Sequence, residues 1–174
     1  SGIGCGVINM NNRERTYRTE AIILKRRDFG EADRLLTVIT PKHGKVDVIA
    51  KGARKPNSTK TGHVELFTRA DILVHRGRDL DIAQQAEMIA PFLPLREDLQ
   101  RGAYANYCAE LLDRFTEEGE DDLEAIYDLL GDTLQRLCDE NDLRLVIRYY
   151  EMRLLDLVGF RPELNECVLT YETI

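Results

Sequence analysis

The chain has 174 residues, 43% of them apolar and 32% charged, enough apolar surface for a packed core, which sets disorder aside. No apolar run approaches the roughly 18 residues that span a bilayer, and Cys5, Cys108, Cys138 and Cys167, widely spaced and without a CxxC pair, exclude a dense disulfide framework and read as reduced thiols. The net charge of −7 conceals a segregation: residues 13–80 hold 16 Lys and Arg against 9 Asp and Glu, residues 81–174 hold 8 against 22, so a basic module of +7 precedes an acidic one of −14.

In chain order, Ser1–Asn9 carry no charge and no periodicity, and residues 1–12 read as a cloning remnant or floppy terminus with Met10 as the natural start. Residues 13–88 show the period of short strands. Thr19–Lys25 and Leu35–Thr40 are rich in β-branched and apolar residues, and Pro41–Gly44 is a tight turn into Lys45–Lys51. The polar stretch Gly52–Gly62, with its Gly, Pro and Ser, cannot continue a strand and forms a loop. Strict alternation follows: Val64, Leu66, Thr68, Ala70, Ile72 and Val74 share one face, while Glu65, Phe67, Arg69, Asp71, Leu73 and His75 share the other. Arg76–Asp79 then turns the chain into a fifth strand, Leu80–Ala86. Five short strands, split three and two by a long loop, fit a closed Greek-key barrel of the OB type, with an SH3-like barrel as the rival; closure removes the exposed edges of an open sheet.

Pro91 and Pro94 mark the change from period 2 to period 3.6, so residues 89–174 form an acidic helical module. Tyr104, Tyr107, Cys108, Leu111 and Phe115 stripe one helix. Leu123, Ile126, Tyr127, Leu130, Leu134 and Leu137 stripe a second, entered through Asp121–Asp122. Leu143, Val146, Ile147, Tyr150, Leu154 and Leu157 stripe a third, capped by Asp142 and stopped by Gly159 and Pro162. The fold class is therefore α+β: an N-terminal five-stranded OB-fold barrel followed by a small helical bundle.

Chemistry-bearing motifs are sparse. His43, His63 and His75 have no i,i+4 ligand partner, and no GxSxG, Walker loop or strand-to-helix GxGxxG is present, which disfavours an enzyme. Cys108 and Cys138 fall on apolar helical stripes and read as packing residues. The acidic run Glu117–Asp122 reads as a solvated linker favouring the helix N-terminus that follows it. The positive charges are the informative signal. Arg26 and Arg27 end the first strand together with Lys25, Arg34 opens the second, Lys51, Arg54, Lys55 and Lys60 frame the long loop, and Arg76 and Arg78 occupy the last turn. Cations clustered at strand ends of one barrel point to nucleic acid, because each neutralised phosphate releases counterions. Phe29 and Phe67 are the candidates for base stacking, Phe67 competing with a packing role under the helices. So few aromatics make the expected binding electrostatic, sequence-tolerant and salt-sensitive.

Several strings together resemble a known family. Thr19–Leu24, Phe29–Thr37 (FGEADRLLT), Thr40–Lys45 (TPKHGK), Ala50–Pro56 (AKGARKP), Pro91–Arg96, Tyr104–Tyr107 and Leu157–Leu164 resemble, in order, the bacterial RecO recombination mediators. The resemblance implies an OB barrel with a helical domain, binding to single- and double-stranded DNA, annealing of complementary strands, and partnership with RecR and single-strand-binding protein in loading RecA, in the bacterial cytoplasm at the nucleoid. Motif by motif it assigns the basic barrel surface to Arg34, Lys51, Arg54 and Lys55; Arg26, Arg27 and Lys60 extend that surface by charge alone. Many members of the family it resembles carry a four-cysteine zinc module just after the Gly-Phe-x-Pro-x-Leu string. Here Cys167 stands at the first ligand position while Thr170 occupies the position of its CxxC partner, so zinc is not expected and the chain reads as ending before the rest of the helical domain.

The expected function is that of a non-enzymatic DNA-binding and strand-annealing mediator without cofactor. The alternative is a protein-docking adaptor, whose basic barrel receives an acidic peptide or partner surface and meets DNA only incidentally. A metal-dependent nuclease is disfavoured by the lack of paired-carboxylate or metal motifs.

Overall fold

A computed structural model describes residues 15–60 and 63–159. Five strands, β1 (Thr16–Phe29), β2 (Asp33–Thr40), β3 (Gly44–Ala50), β4 (Arg69–His75) and β5 (Asp81–Ala90), close into a barrel of order β1-β2-β3-β5-β4. Four helices follow: α1 (Pro94–Glu97), α2 (Leu99–Phe115), α3 (Glu124–Asp139) and α4 (Leu143–Leu157). The barrel closes through a short parallel pairing of β3 with β5, Val48 beside Asp81 and Ile49 beside Ile82. This is the OB arrangement that the sequence predicts.

β1 makes the closure possible because it serves two neighbours. Its first half pairs with β4, Thr16 beside His75 through Ile22 beside Arg69, and its second half pairs with β2 out to Phe29 beside Asp33. A register shift between Ile23 and Lys25 bends the strand between these roles. Ala21–Leu24 are buried in succession, rather than alternately, because both faces of β1 are covered here. Ala21 and Ile23 join the barrel interior with Leu36, Val38, Val48, Ile72 and Val74. Ile22 and Leu24, with Ile39, face outward into a second core shared with Leu112, Leu130, Leu134, Tyr150 and Leu154 of the helices.

The alternation over 64–74 overstates β4. The strand begins at Arg69, because Phe67 adopts a left-handed backbone (φ 62°). Its N–H donates to Ile23 O at 3.0 Å, and the Ile23 N–H donates to Thr68 O at 3.2 Å, so residues 67–68 dock on the bend of β1. α3 and α4 bury the stripes that the sequence predicts, whereas α2 buries Ala105, Cys108, Ala109 and Leu112 and leaves Tyr104, Leu111 and Phe115 only partly buried and Tyr107 exposed. Asp98 caps α2 by accepting from Arg101 N, and Asp142 caps α4 by accepting from Leu145 N. The expected entry of α3 through an acidic cap is not what forms: Leu123 is the N-cap without a side-chain bond, and Asp122 takes a left-handed backbone. Gly159, at φ 84°, follows α4, and Pro162 lies outside the described residues.

The acidic linker after α2 is fastened to the β2–β3 hairpin. Lys45 Nζ donates to the backbone oxygens of Asp113 and Thr116 at 3.0 and 2.7 Å and to Asp113 Oδ1 at 3.0 Å. Lys25 pairs with the other oxygen of the same carboxylate. Gly44 (φ 68°) lies so close to the linker that a Cβ would stand 1.8 Å from Glu120 O, so this turn needs glycine twice over.

Candidate nucleic-acid interface

The basic residues named from the sequence separate into two groups, because the pairing of β1 sends its ends in opposite directions. At the Phe29 end, the β1–β2 turn meets the loop that follows β3, since Arg34 pairs with Ala50. Hydrogen bonds staple that loop down: Gly52 N donates to Asp33 Oδ1 at 2.7 Å, Arg54 N to Ala32 O at 3.0 Å, and Lys55 N to Gly52 O at 3.1 Å. Gly52 permits the turn with φ 69°. The loop is thus a fixed platform, despite its Gly/Pro/Ser composition.

Its cations differ in what they already hold. Arg26 and Arg34 share Glu65, at 2.5 and 3.5 Å, and the Arg34 side chain is only 18% exposed. Arg54 donates to Gly30 O and pairs with Asp28 at 3.5 Å. Lys60 Nζ donates to the backbone oxygens of Lys51 and Ala83; burial foremost, helped by the charge of Lys51, pushes its ammonium below the usual lysine range, although Asp33 opposes this. Arg27, Lys51 and Lys55 are exposed and form no ion pair among the described residues. Phe29, 39% exposed, stands at the same end. Exposed ammonium and guanidinium groups with no internal anion are the ones free to displace counterions from phosphate.

Arg76 and Arg78 do not join this platform. Their turn lies at the Thr16 end of β1, where the Arg76 guanidinium stacks 4.7 Å over the Tyr17 ring and Tyr17 in turn stacks 4.0 Å from His43. Glu118 and Asp121 of the acidic linker line the same pocket, with Asp47, Asp79 and Asp81. A phosphate approaching there meets carboxylates as well as cations. Phe67 is removed from the stacking candidates: it is 6% exposed and packs in the core beneath the helices.

Sequence reasoning missed Glu65 and Asp33, the acids that orient Arg34 and the loop; no local signal links Glu65 to an arginine 31 residues away. Among the described residues no group of three or more His, Cys, Asp or Glu side chains could hold a metal ion. Cys108 is fully buried, which pushes its thiol up to about 12, while Cys5 and Cys167 lie outside the described residues. No described helix is long and apolar enough to cross a membrane.

Two family models match the sequence in succession: recombination protein O N terminal over residues 10–92, and recombination protein O C terminal over residues 96–174. They meet beside Pro94, where α1 begins. Similar curated proteins include the DNA repair protein RecO of Roseiflexus sp. (strain RS-1), 48% identical over 155 residues, which are 89% of this chain and 54% of that protein. The RecO of Pelotomaculum thermopropionicum is 42% identical over 87% of this chain and 58% of its own length. That of Bacillus subtilis (strain 168) is 36% identical over 87% of this chain and 59% of its own. The chain thus spans a little over half the length of these relatives.

Proposed function

The chain belongs to the recombination protein O family, and from that premise we propose that it is a non-enzymatic, cofactor-free DNA-binding mediator of recombinational repair in the RecF pathway. The observation that supports this best is the platform at the Phe29 end of the barrel, where Arg27, Lys51 and Lys55 stand exposed and without internal anions beside the half-exposed Arg54. The platform binds the backbones of single and double strands alike. Annealing needs no catalytic group: two strands repel until their phosphates are neutralised, and base pairing then supplies the free energy. In this reading the protein works in the bacterial cytoplasm at the nucleoid, with RecR and single-strand-binding protein as partners and RecA loading as the outcome.

The test is fluorescence anisotropy with a mixed-sequence single strand across a salt titration. Three unpaired cations predict a log–log slope of about −2, at ~0.7 per phosphate. Lys51→Glu/Lys55→Glu should flatten the slope by about 1.4 and weaken binding to unrelated sequences equally. Unchanged DNA binding in that variant, coupled with loss of affinity for an acidic peptide, would transfer the platform to the docking-adaptor reading.

A further inference from the structure

Beside the platform, β1 and β2 on one side and α2 on the other enclose a cleft of about 520 Å³, within the size range of small-ligand sites. Buried Leu24 and Leu35 and half-buried Leu66 form its apolar wall. Arg27, which forms no ion pair among the described residues, is part of its lining, exposed Asn106 and Glu110 face it from α2, and Asp47, which accepts from the Thr37 hydroxyl at 2.6 Å, lines its barrel side. The other two cations of its lining are occupied, Lys25 by Asp113 and Arg26 by Glu65.

We propose that this cleft receives an unpaired nucleobase of the single strand whose backbone lies on the platform. This rests on the DNA-binding reading above and names how a single strand is held. A base has two apolar faces, a polar edge and a phosphate one sugar away, and the cleft offers an apolar wall, polar groups opposite it and one guanidinium without an ion pair in its lining. Proteins that hold single strands need surfaces for base faces as well as cations for the backbone. With Phe67 buried, the platform presents only Phe29, and the leucine wall meets the shortfall. The Asn106 amide both donates and accepts, so it can satisfy the edge of any base, in keeping with sequence-tolerant binding. The Glu110 carboxylate accepts from an exocyclic amine, which cytosine, adenine and guanine have and thymine lacks. A base within a duplex has its faces stacked and its edge paired, so the cleft admits unpaired bases alone and favours single strands over double.

The experiment compares anisotropy binding of a mixed-sequence strand with a strand of the same length carrying abasic sites, for the wild-type chain and for Asn106→Met. Methionine is a good helix former on this exposed surface of α2, and it fills the mouth of the cleft while removing the amide. Wild-type protein should bind the intact strand about tenfold tighter than the abasic one, the scale of a single stacked base. Asn106→Met should lower that ratio several-fold, leaving only the share of Phe29, with its melting temperature and salt slope unchanged. Salt-dependent binding with equal affinity for both strands would overturn the cleft and leave the platform standing, as would a tenfold ratio that survives in Asn106→Met. Failure of the wild type to bind either strand at low salt would overturn the DNA reading on which the cleft rests.

Discussion

Replacing Lys45 with methionine should loosen the helices from the barrel. Lys45 is the partner of two backbone oxygens and one carboxylate oxygen, and its side chain is 13% exposed against 19% for Asp113. Methionine keeps the apolar stem but donates nothing, so the oxygens of Asp113 and Thr116 lose their ammonium while the carboxylate retains only Lys25. Hydrogen bonds to charged groups contribute about 1.5–3 kcal/mol each, and breaking a fully buried pair costs about 3–5 kcal/mol. Because Asp113 keeps a partner and some solvent, the expected loss is about 2–3 kcal/mol, or roughly 5–10 °C in Tm for a chain of this size. The assay is thermal unfolding followed by circular dichroism for Lys45→Met, Asp113→Asn and the double variant. A clamp predicts single losses that fail to add, with a coupling of about 1 kcal/mol or more. A Tm shift of less than about 1 °C, or simple additivity, would refute it. Acid titration gives a second view. Burial alone would raise the Asp113 carboxyl, but the hydrogen bonds and charges of Lys25 and Lys45 outweigh burial and hold it below its ordinary 3.8. With the folded value depressed, the stabilisation is present above the unfolded value and is lost as pH falls through the folded one, so Asp113→Asn should flatten the stability curve below about pH 4.

Gly44→Ala combines a left-handed backbone with a Cβ 1.8 Å from Glu120 O, and should cost at least about 2 kcal/mol in urea unfolding, with little effect on helix content. Arg34→Glu should lower both Tm and DNA affinity, since it sets a second carboxylate beside Glu65 and leaves Arg26 as that acid's only cation; Lys51→Glu/Lys55→Glu should lower affinity alone, and equal melting of the two variants would contradict this division. His43 is held below its ordinary 6.5 by burial first and by the charges of Arg76 and Lys42, with Asp121 opposing. Its contribution is therefore complete above pH 6.5 and declines as the pH falls below it, so His43→Gln should show a flatter stability profile below about pH 6.5.

What could be read in the sequence follows from how far each cause acts along the chain. The stripe Leu143, Val146, Ile147, Tyr150 and Leu154 is the buried face of α4, and Asp142 caps it, because helix packing and capping act within a few residues. Ala21–Leu24 stand out as a strand core for a reason the strand period does not contain: the barrel covers one face and the helices the other. Conversely, Lys25–Phe29 extend β1 by pairing with β2 while every side chain is exposed, so no apolar signal announces them. The alternation through Phe67 is misleading because a ring bound for the helical core takes a left-handed turn there, a tertiary demand that overrides the period of 2. The four-residue α1 is too short to show a stripe. At the platform, charge alone identified the cations, but which of them are already neutralised depends on Glu65, Asp113 and Asp28, whose contacts across the fold have no trace in local sequence.

The segregation of charge therefore has two uses. Part of the basic excess of the barrel is consumed in holding the acidic helices. Lys25 and Lys45 close on Asp113, and Arg69 pairs with Glu20 at 2.6 Å, where Tyr127 of α3 also donates its hydroxyl while its ring lies 5.5 Å beneath the guanidinium. These contacts flank the apolar seam of Ile22, Leu24 and Ile39, so the seam sets the attraction and the ion pairs set the orientation, since apolar burial is non-directional and hydrogen-bonded charges are not. The remainder, Arg27, Lys51 and Lys55, stays exposed on a strand end and a loop that the seam and the staple through Asp33 keep in place. Solvent and salt screen exposed charges far more than half-buried ones. The same kind of residue thus acts as a fastener where an acid faces it, and stands as a solvent-exposed charge where none does. That difference arises from the fold, which decides which cations keep an internal anion and which are left exposed to solvent, and the proposed DNA contact draws on the second set alone.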